Sequence, residues 1–369
     1  MIETAQDLGA RIALARAEAD FTQEMLAARS GIDRSALAKA ELGARKISAL
    51  ELVRIANAVD RPVDWFLIES PQPVVSRRSS RTPGQTTNRV DEVTERLARD
   101  VDFLVERKIL SGRRPEMNWP LSFPNDFSVA VVAASTARRM MGATVGPLVD
   151  VQAHAEALGL YAFSFALGQD SVDGASIALD SAGVALVNAS MDPGRRRFTL
   201  AHELGHYLFN DAYSTDWRVD QPGDDRERMI DAFAAHLLMP RESVSSRWNE
   251  LAPDCGESRA VAVLASEYRV SVSAMAGQLA NIGVVPRHEV QHLAGSRPTR
   301  ADFVEFGLIQ HDELADSSLA PQYRRAVLGA FRRGLLGSSR CVDLLHGAVE
   351  SLDLPERDPF PLESLRGEL

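Results

Sequence analysis

Residues 198–209, near the middle of the chain, restrict its fold and chemistry more than any other stretch. They read Phe-Thr-Leu-Ala-His-Glu-Leu-Gly-His-Tyr-Leu-Phe and contain a His-Glu-x-x-His motif. Positions four apart lie on one face of a helix, so His202 and His206 can direct two imidazoles at one metal ion. Glu203 can accept a proton from a water on that metal. The motif therefore predicts a zinc-dependent peptidase site.

A helix under this motif is indicated by its surroundings. Residues 192–194, Asp-Pro-Gly, are a helix-entry signal, and apolar residues such as Phe198, Ala201 and Leu208 recur at helical spacing. The motif has only three fixed positions, however, and it also arises by accident or as two ordinary surface histidines. A third ligand is what would separate these readings.

A zinc peptidase needs three protein ligands and one open position for water. One subclass takes a histidine shortly after the motif, but Ala212 occupies that position. The helix predicted over residues 224–240 offers Glu227 as the third ligand, with Asp231 as the acceptor that fixes the tautomer of a ligand histidine. Other acidic or imidazole side chains stay open as the third ligand, and acidic residues are favoured in a first helical turn in any case; these rivals are Asp220, Asp224, Asp225, Asp231 and His236.

Two blocks of sequence carry a family resemblance. The first is RRFTLAHELGHY at residues 196–207, and the second is Glu227-x-x-x-Asp231 followed by FAAHLLMP at residues 233–240. Together they resemble the ImmA/IrrE family of bacterial metallopeptidases over roughly residues 125–245. The resemblance implies a gluzincin-like α+β domain, of a kind often encoded with or fused to XRE-type regulators. Ile230 stands where the family usually has alanine, which puts the position of that helix slightly in doubt.

Residues 1–69 have the pattern of a helix-turn-helix module. Helices are predicted around residues 12–19, 22–30, 33–41 and 48–59, with Thr22 and Asp33 as caps and Gly31 in the turn between the second and third. The segments TQxxLA at 22–27 and ELGxR at 41–45 resemble the XRE or Cro/C1 repressor family. In such a module the third helix enters the major groove of DNA.

Charge within this module supports DNA contact only locally. Residues 29–46 hold five basic and two acidic side chains, whereas residues 1–69 hold nine basic and eleven acidic ones. DNA binding would therefore depend on the local patch and on a homodimer. If the resemblance holds, the contacts fall on Gln23, Arg34, Ser35 and Lys39. A small helical module that binds protein is the alternative.

The rest of the chain suggests a linker, a catalytic domain and a helical region. Residues 70–90 are rich in Pro, Ser, Thr and Arg and are predicted to be a linker, and residues 91–110 form an amphipathic helix that packs on the catalytic domain or pairs with a second chain. Helices are expected at 126–141 and 146–158, and strands at 160–165, 175–179 and 184–188. Residues 172–179 are the expected edge strand for a substrate peptide. Helices are also expected within 256–285 and 298–350.

The predicted fold class is mainly α with a small β-sheet. The domains are a helix-turn-helix domain at 1–69, a linker at 70–90, a zincin-like α+β metallopeptidase domain at 91–254 with its core at about 125–245, and a helical region at 255–369 that recognises a partner or dimerises. A net charge of −10 excludes a protein that coats nucleic acid along its whole surface. No signal peptide or membrane span is visible, and Cys255 and Cys341 form no motif, which fits a cytoplasmic protein.

The expected function is a zinc endopeptidase with a DNA-binding head. His202, His206 and Glu227 would hold Zn²⁺, Glu203 would take the proton of the attacking water, and Tyr207 is a candidate oxyanion stabiliser or a packing residue. The family resemblance implies a repressor-like protein as substrate, cleaved to switch transcription. Two alternatives are a regulator whose peptidase-like domain serves as a sensor or dimer module, and a toxin–antitoxin component that acts by binding.

Overall fold

The computed structural model describes residues 4–19, 21–59, 61, 63–67, 76–79, 87–112, 122–209, 217–218 and 225–358. The chain divides into two compact units, Met1–Pro71 and Gln72–Leu369. The protein is mostly helical with a small sheet, which confirms the predicted fold class. Among the residues just given, no helix is both long and apolar enough to cross a membrane.

The first unit is a compact bundle of helices. Its elements are α1 (Ala5–Glu18), α2 (Gln23–Ser30), α3 (Arg34–Glu41), α4 (Ala49–Ala58) and a short 3₁₀ helix (Val63–Phe66). Ile12, Leu26, Leu37, Ile55 and Phe66 are buried together in its core. Each helix contributes one apolar face to this core, as the spacing of its apolar residues predicts.

The predicted caps of the bundle are formed. The Thr22 side chain accepts a hydrogen bond from the Met25 N–H, and that of Asp33 accepts from the N–H groups of Ser35 and Ala36. Gly31 ends α2 with a left-handed φ of 64°, which glycine adopts without steric cost. The short helix–glycine turn–helix arrangement of α2 and α3 therefore follows from local sequence.

The second unit contains the sheet and the remaining helices. Its strands are β1 (Ser76–Ser79), β2 (Leu160–Phe165), β3 (Gly174–Ala178), β4 (Gly183–Asn188) and β5 (Trp217–Arg218). Its helices are α5 (Thr87–Glu106), α6 (Phe127–Met140), α7 (Val151–Ala157), α8 (Pro193–Phe209), α9 (Asp225–Leu238), α10 (Arg241–Cys255), α11 (Glu257–Glu267), α12 (Val272–Asn281), α13 (Val290–Ala294), α14 (Arg300–Glu305), α15 (Pro321–Arg332) and α16 (Ser338–Leu344).

The strands form one mixed sheet in the order β2-β4-β3-β1-β5. Strands β2 and β4 run parallel, β3 runs antiparallel to β4, and β1 runs antiparallel to β3. The three longer strands, β2, β3 and β4, match the three predicted ones to within a residue or two. Strand β1 lies inside the segment predicted as a linker, where it follows the side of β3 that β4 leaves open.

The sheet separates two apolar cores. Ala185 and Val187 of β4 face a core that includes residues of α6, α7, α8, α9, α11 and α12. Val184 and Leu186 face the other core, with residues of α5, α15 and α16. Alternate residues of a strand point to opposite faces, so β4 is buried on both sides and is apolar throughout. The amphipathic helix predicted at 91–110 accordingly packs on the sheet.

Some predicted boundaries are wrong for local reasons. The helix expected at 146–158 covers only Val151–Ala157, because Gly146 has a φ of 74° and Asp150 caps the helix by accepting the Ala153 N–H. Helix α10 was not predicted. After residue 350, the described part of the chain contains one short 3₁₀ helix, Ser351–Asp353.

Candidate metal centre

Helix α8 presents the His-Glu-x-x-His motif to the interior. It begins at Pro193, which is tolerated in a first turn because the N–H it lacks would have no helical partner there. His202 and His206 lie one turn apart, and their side chains and that of Glu203 are almost completely buried. Polar groups buried to this extent need partners or a bound ion. The motif is therefore placed in the core of the unit and not on its surface.

Helix α9 brings Glu227 to the two histidines. Gly205 makes this approach possible, because a Cβ there would lie 3.0 Å from Phe233 Cδ1 and 3.1 Å from Ile230 Cγ2. Ile230 thus packs against Gly205, the one residue of the motif that has no side chain. Ile230 is also the position at which the sequence departs from the family pattern. The fit between Gly205 and Ile230 was not foreseen from the sequence, since it joins residues on two helices.

The three predicted ligands form a tight cluster. His202 Nε2 lies 3.0 Å from His206 Nε2 and 3.2 Å from Glu227 Oε2, and His206 Nε2 lies 3.4 Å from Glu227 Oε1. Within the described part of the chain, His202, His206 and Glu227 are the only three histidine, cysteine or acidic residues grouped closely enough to hold a metal ion. Asp231 Oδ1 lies 2.9 Å from His202 Nδ1.

This arrangement fits a divalent metal. When His202 Nδ1–H donates to Asp231, its Nε2 carries a lone pair, and that lone pair lies against a second imidazole nitrogen. Ligands about 2.1 Å from a tetrahedral metal are separated by roughly 3.3 Å, close to the spacings observed. Burial raises the pKa of Glu227, but hydrogen bonds with His202 and His206 outweigh it and hold that pKa well below the usual range. The donor set is thus an anionic carboxylate and two imidazoles.

Glu203 stands beside the cluster and contacts β3. Ser176 Oγ donates a hydrogen bond of 2.7 Å to Glu203 Oε2. A Cβ at Gly174 would lie 2.5 Å from Thr199 Cγ2 and 3.5 Å from Glu203 Oε1. The prediction that residues 172–179 form an edge strand is wrong, because β3 is paired on both sides, with β4 and with β1, and neither Gly174 nor Ser176 was predicted as a site residue. The available signal was Gly-x-Ser in a strand otherwise made of apolar side chains.

The other predicted site residues have different surroundings. A Cβ at Gly183 would lie 2.5 Å from Tyr207 Cε2, so the Tyr207 ring packs on the start of β4 and contributes to the core. Among the rival ligands, Asp225 is exposed and lies 3.4 Å from Arg228, while His236 Nδ1 lies 3.3 Å from Gln278 Nε2. Asp220 and Asp224 lie outside the described residues.

The first turns of α8 are fixed by ion pairs that the sequence did not predict. Arg196 pairs with Asp312 and Arg197 with Glu313, and Arg197 also donates to the Leu148 carbonyl at 2.8 Å. Arg197 is almost fully buried, and this burial lowers its pKa against the opposing effect of Glu313. A buried charge of this kind is tolerated only with such partners. The segment that follows α14 therefore helps to position the helix that carries the motif.

Of the four side chains predicted to contact DNA, two make hydrogen bonds within the first unit and the other two are exposed. Arg34 and Lys39 are exposed on α3. Gln23 Nε2 donates to Glu41 Oε2 at 2.7 Å, and Ser35 Oγ donates to Asp33 Oδ1 at 2.6 Å. Lys39 and Arg34 are thus the side chains available for phosphates, whereas Gln23 and Ser35 already serve the helix termini and their packing.

Comparison with known protein families gives one match in each of the two units. The family described as IrrE N-terminal-like domain matches residues 155–279, and a helix-turn-helix family matches residues 12–66. Residues 12–66 are thus similar to XRE-type helix-turn-helix domains and residues 155–279 to the IrrE family, which confirms the predicted resemblance. The matched region includes α8, α9, β3 and the three clustered side chains, and it extends to 279, past the predicted domain boundary at 254.

Two curated relatives share part of the chain. The radiation response metalloprotease IrrE of Deinococcus deserti is 36% identical over 96 residues, which is 24% of this chain and 33% of that protein. The radiation response metalloprotease IrrE of Deinococcus radiodurans is 34% identical over 96 residues, 24% of this chain and 28% of that protein. The chain thus matches about a third or less of the length of either relative.

Proposed function

We propose that the protein is a zinc-dependent endopeptidase with a DNA-binding head. The observation that carries this proposal is the buried cluster of His202, His206 and Glu227 with Glu203 beside it. Three protein ligands that leave one position open are typical of catalytic zinc sites. A buried set of this kind, with an acid next to it, is costly to a fold that does not use it. The DNA-binding head implies action where DNA is, and the cytoplasm is the proposed location.

The chain's own residues have defined roles in peptide hydrolysis. Bound zinc would supply a Lewis acid that polarises water and the peptide carbonyl. Glu203 accepts the proton of the attacking water and delivers a proton to the leaving amine. Asp231 holds His202 in one tautomer by accepting its Nδ1–H. The ring of Tyr207 is accounted for by packing on β4, so we assign no oxyanion role to it.

An extended substrate would add to the sheet at β3. This strand has Gly174 and Ser176 against Glu203, so a peptide paired with β3 on the side away from β4 would pass close to the base. Strand β1 already pairs there in an antiparallel register. We propose that the substrate is a repressor-like protein whose cleavage switches transcription, as the family resemblance implies.

The peptidase proposal is tested by comparing protein N-termini in host cells that express the wild type or Glu203→Gln. Glutamine keeps the shape of the side chain and can still accept the Ser176 hydrogen bond, but it cannot act as a base. Metal content is measured in both proteins, and Glu242→Gln, the same change at an exposed position of α10, is the matched control. A new N-terminus present with wild type and control only would establish the activity and identify the substrate.

No difference among the three proteins, with zinc bound in all, would refute the peptidase proposal in those cells. Specific DNA binding in that case would favour the regulator, in which the second unit acts as a sensor. Neutralisation of a neighbouring protein by binding alone would favour the toxin–antitoxin component.

DNA binding by the head is a separate proposal with its own test. Arg34→Ala and Lys39→Ala should each weaken binding to duplex DNA and reduce the slope of log affinity against log salt by about one. Arg107→Ala removes one exposed positive charge just after the end of α5 and is the control. Unchanged slopes for both α3 variants would contradict the assignment. Sedimentation of the full chain with and without DNA tests the proposed homodimer.

A further inference from the structure

Strand β3 contacts Glu203, the base of the proposed reaction, through two of its residues. Gly174 and Ser176 are two residues apart and lie on the sheet face that α8 covers. Ser176 is buried, Glu203 is fully buried, and the Ser176 Oγ–H donates to Glu203 Oε2 at 2.7 Å. Considering only the residues that the structure describes, the other oxygen, Glu203 Oε1, has no hydrogen-bond partner. The two oxygens of one carboxylate are therefore in different environments.

We propose that Ser176 is the positioning residue of Glu203. This inference depends on the proposed peptidase function. The terminal torsion of a glutamate side chain is broad and roughly two-fold, so packing alone does not decide which oxygen faces the reacting water. The Ser176 hydrogen bond fixes Oε2 and leaves the lone pairs of Oε1 for the proton to be accepted. Gly174 contributes by leaving space beside Oε1, which any Cβ would narrow.

A positioning role predicts a specific pattern in kinetics. Ser176→Ala should lower kcat about 10- to 100-fold with little change in KM, because the hydroxyl contacts the base and not the substrate. Ser176→Thr retains the hydroxyl and should restore most of kcat. Ser176→Cys is close in volume but is a weak donor, so its kcat should resemble that of the alanine variant. The probe is fluorescein-labelled casein, with zinc content verified in every protein.

A second measurement does not need turnover. The full chain is loaded with Co²⁺, and its visible spectrum reports on the water and ligands around the metal. Ser176→Ala should change this spectrum relative to wild type. It should have no further effect in a Glu203→Ala background, because no side-chain oxygen remains there for the hydroxyl to position. Failure of the peptidase proposal would abolish casein cleavage by the wild type and leave this comparison intact.

Each outcome of these two measurements either supports or overturns the positioning role of Ser176. The proposal is supported if kcat is higher with Ser or Thr at position 176 than with Cys or Ala, and if the spectral change disappears in the Glu203→Ala background. Equal losses in the threonine and alanine variants would assign Ser176 to packing and overturn the proposal. Wild-type kcat and spectrum in Ser176→Ala would overturn it as well. Urea unfolding of each variant identifies any loss that comes from misfolding.

The pairing of β1 carries a second, independent inference. Ser76 lies opposite Ser176, Arg77 opposite Ala175 and Arg78 opposite Gly174. The β3 residues that contact Glu203 are thus paired with the chain's own segment, and β4 takes the other side of β3. An extended substrate that adds a strand to β3 needs the same backbone groups. We infer that β1 is an internal occupant of the substrate edge, which must leave before a substrate strand can bind.

The test compares a double proline variant of β1 with a double alanine variant. Successive residues of an antiparallel strand direct their N–H groups alternately to the two neighbouring strands, so Arg77→Pro/Arg78→Pro must remove one N–H that faces β3. Arg77→Ala/Arg78→Ala removes the same two charges and keeps both N–H groups. In a Glu203→Gln background, amide hydrogen exchange of β3 should increase about 10-fold or more in the proline variant only. A synthetic peptide of residues 74–82 should then bind the proline variant and restore protection.

The outcomes separate competition from its alternatives. Equal exchange in the proline and alanine variants, or no binding of the peptide by the proline variant, would overturn the inference. A cut within residues 76–79 of the wild type, absent from Glu203→Gln, would make the segment a substrate and also overturn it. With an active base, the proline variant should cleave labelled casein several-fold faster than the alanine variant. Casein that neither variant cleaves, with exchange and peptide binding as expected, would count against the peptidase proposal only.

Discussion

Glu156 gives a prediction about stability that can be worked out in sign and size. This carboxylate on α7 is almost fully buried and accepts the Gln322 N–H at 2.8 and 3.0 Å on its two oxygens. Helix α15 begins at Pro321 with no side-chain cap of its own, so Glu156 caps it from another element. Burial raises the pKa of Glu156 to about 7, against the opposing effect of the N–H groups of Gln322 and Tyr323.

The raised pKa fixes how stability should vary with pH. In the unfolded chain the carboxyl has its ordinary pKa of 4.5, so between 4.5 and about 7 the folded state binds more protons than the unfolded state. The free energy of unfolding should therefore fall as pH rises through this window and level off above it. The difference of about 2.5 units corresponds to about 3 kcal/mol at 1.36 kcal/mol per unit.

Glu156→Gln removes this dependence, because the amide is neutral at every pH and its oxygen still accepts the Gln322 N–H. The free energy of unfolding of the full chain is measured in urea from pH 4.5 to 8 by circular dichroism, as the difference between variant and wild type. That difference should shift by about 3 kcal/mol in favour of the variant as pH rises. Glu242→Gln, at an exposed position, should give a constant difference.

A difference that stays constant within about 0.5 kcal/mol would refute this reasoning. It would mean that the N–H groups at the start of α15 stabilise the carboxylate as strongly as burial destabilises it. A shift of the opposite sign would mean that these N–H groups stabilise the carboxylate more than burial destabilises it. Glu156 would then be ionised in the folded protein at every pH tested.

Two further predictions concern the metal centre and the head. Asp231→Ala should lower zinc affinity about 10- to 100-fold, measured by competition with a chelator, because His202 loses the acceptor of its Nδ1–H; equal affinities would contradict that role. Gly43→Ala should destabilise the head by more than the ~1–2 kcal/mol of a left-handed residue, since its Cβ would lie 2.5 Å from Gln6 Cγ and 2.6 Å from Gln6 Cα. Gly31→Ala is the control, because Gly31 has a similar φ but no atom within 3.6 Å of an added Cβ, so this variant measures the backbone strain alone. Equal losses of unfolding free energy in urea for the two variants would show that the contact with α1 is unimportant.

Local signals account for the parts of the fold that the sequence predicted. Thr22, Gly31 and Asp33 determine helix ends through hydrogen bonds to residues two to four positions away, so their roles are visible in any short window. The spacing of His202 and His206 is likewise a property of one helix. The three longer strands, β2, β3 and β4, were predicted because each is a short apolar run bounded by glycine or a polar residue.

Pairings between distant segments account for what was missed. Ser176 and Glu203 are 27 residues apart, and Arg197 and Glu313 are 116 apart. No periodicity links such positions, because their contact depends on how helices and strands pack and not on how each one forms. The same limit applies to Gly205 and Ile230, whose complementary sizes become apparent only when α8 lies against α9.

The two faces of the sheet explain why the C-terminal helices bear on the site. Tyr323 and Phe331 of α15 lie in the core behind β3 and β4, and Glu313 pairs with Arg197 at the start of α8. Glu203 is part of α8, which lies in front of the sheet, and it accepts a hydrogen bond from Ser176 of β3. The C-terminal helices thus complete the core behind the sheet whose front face carries the Ser176 hydroxyl, and the segment before α15 anchors the helix that carries Glu203.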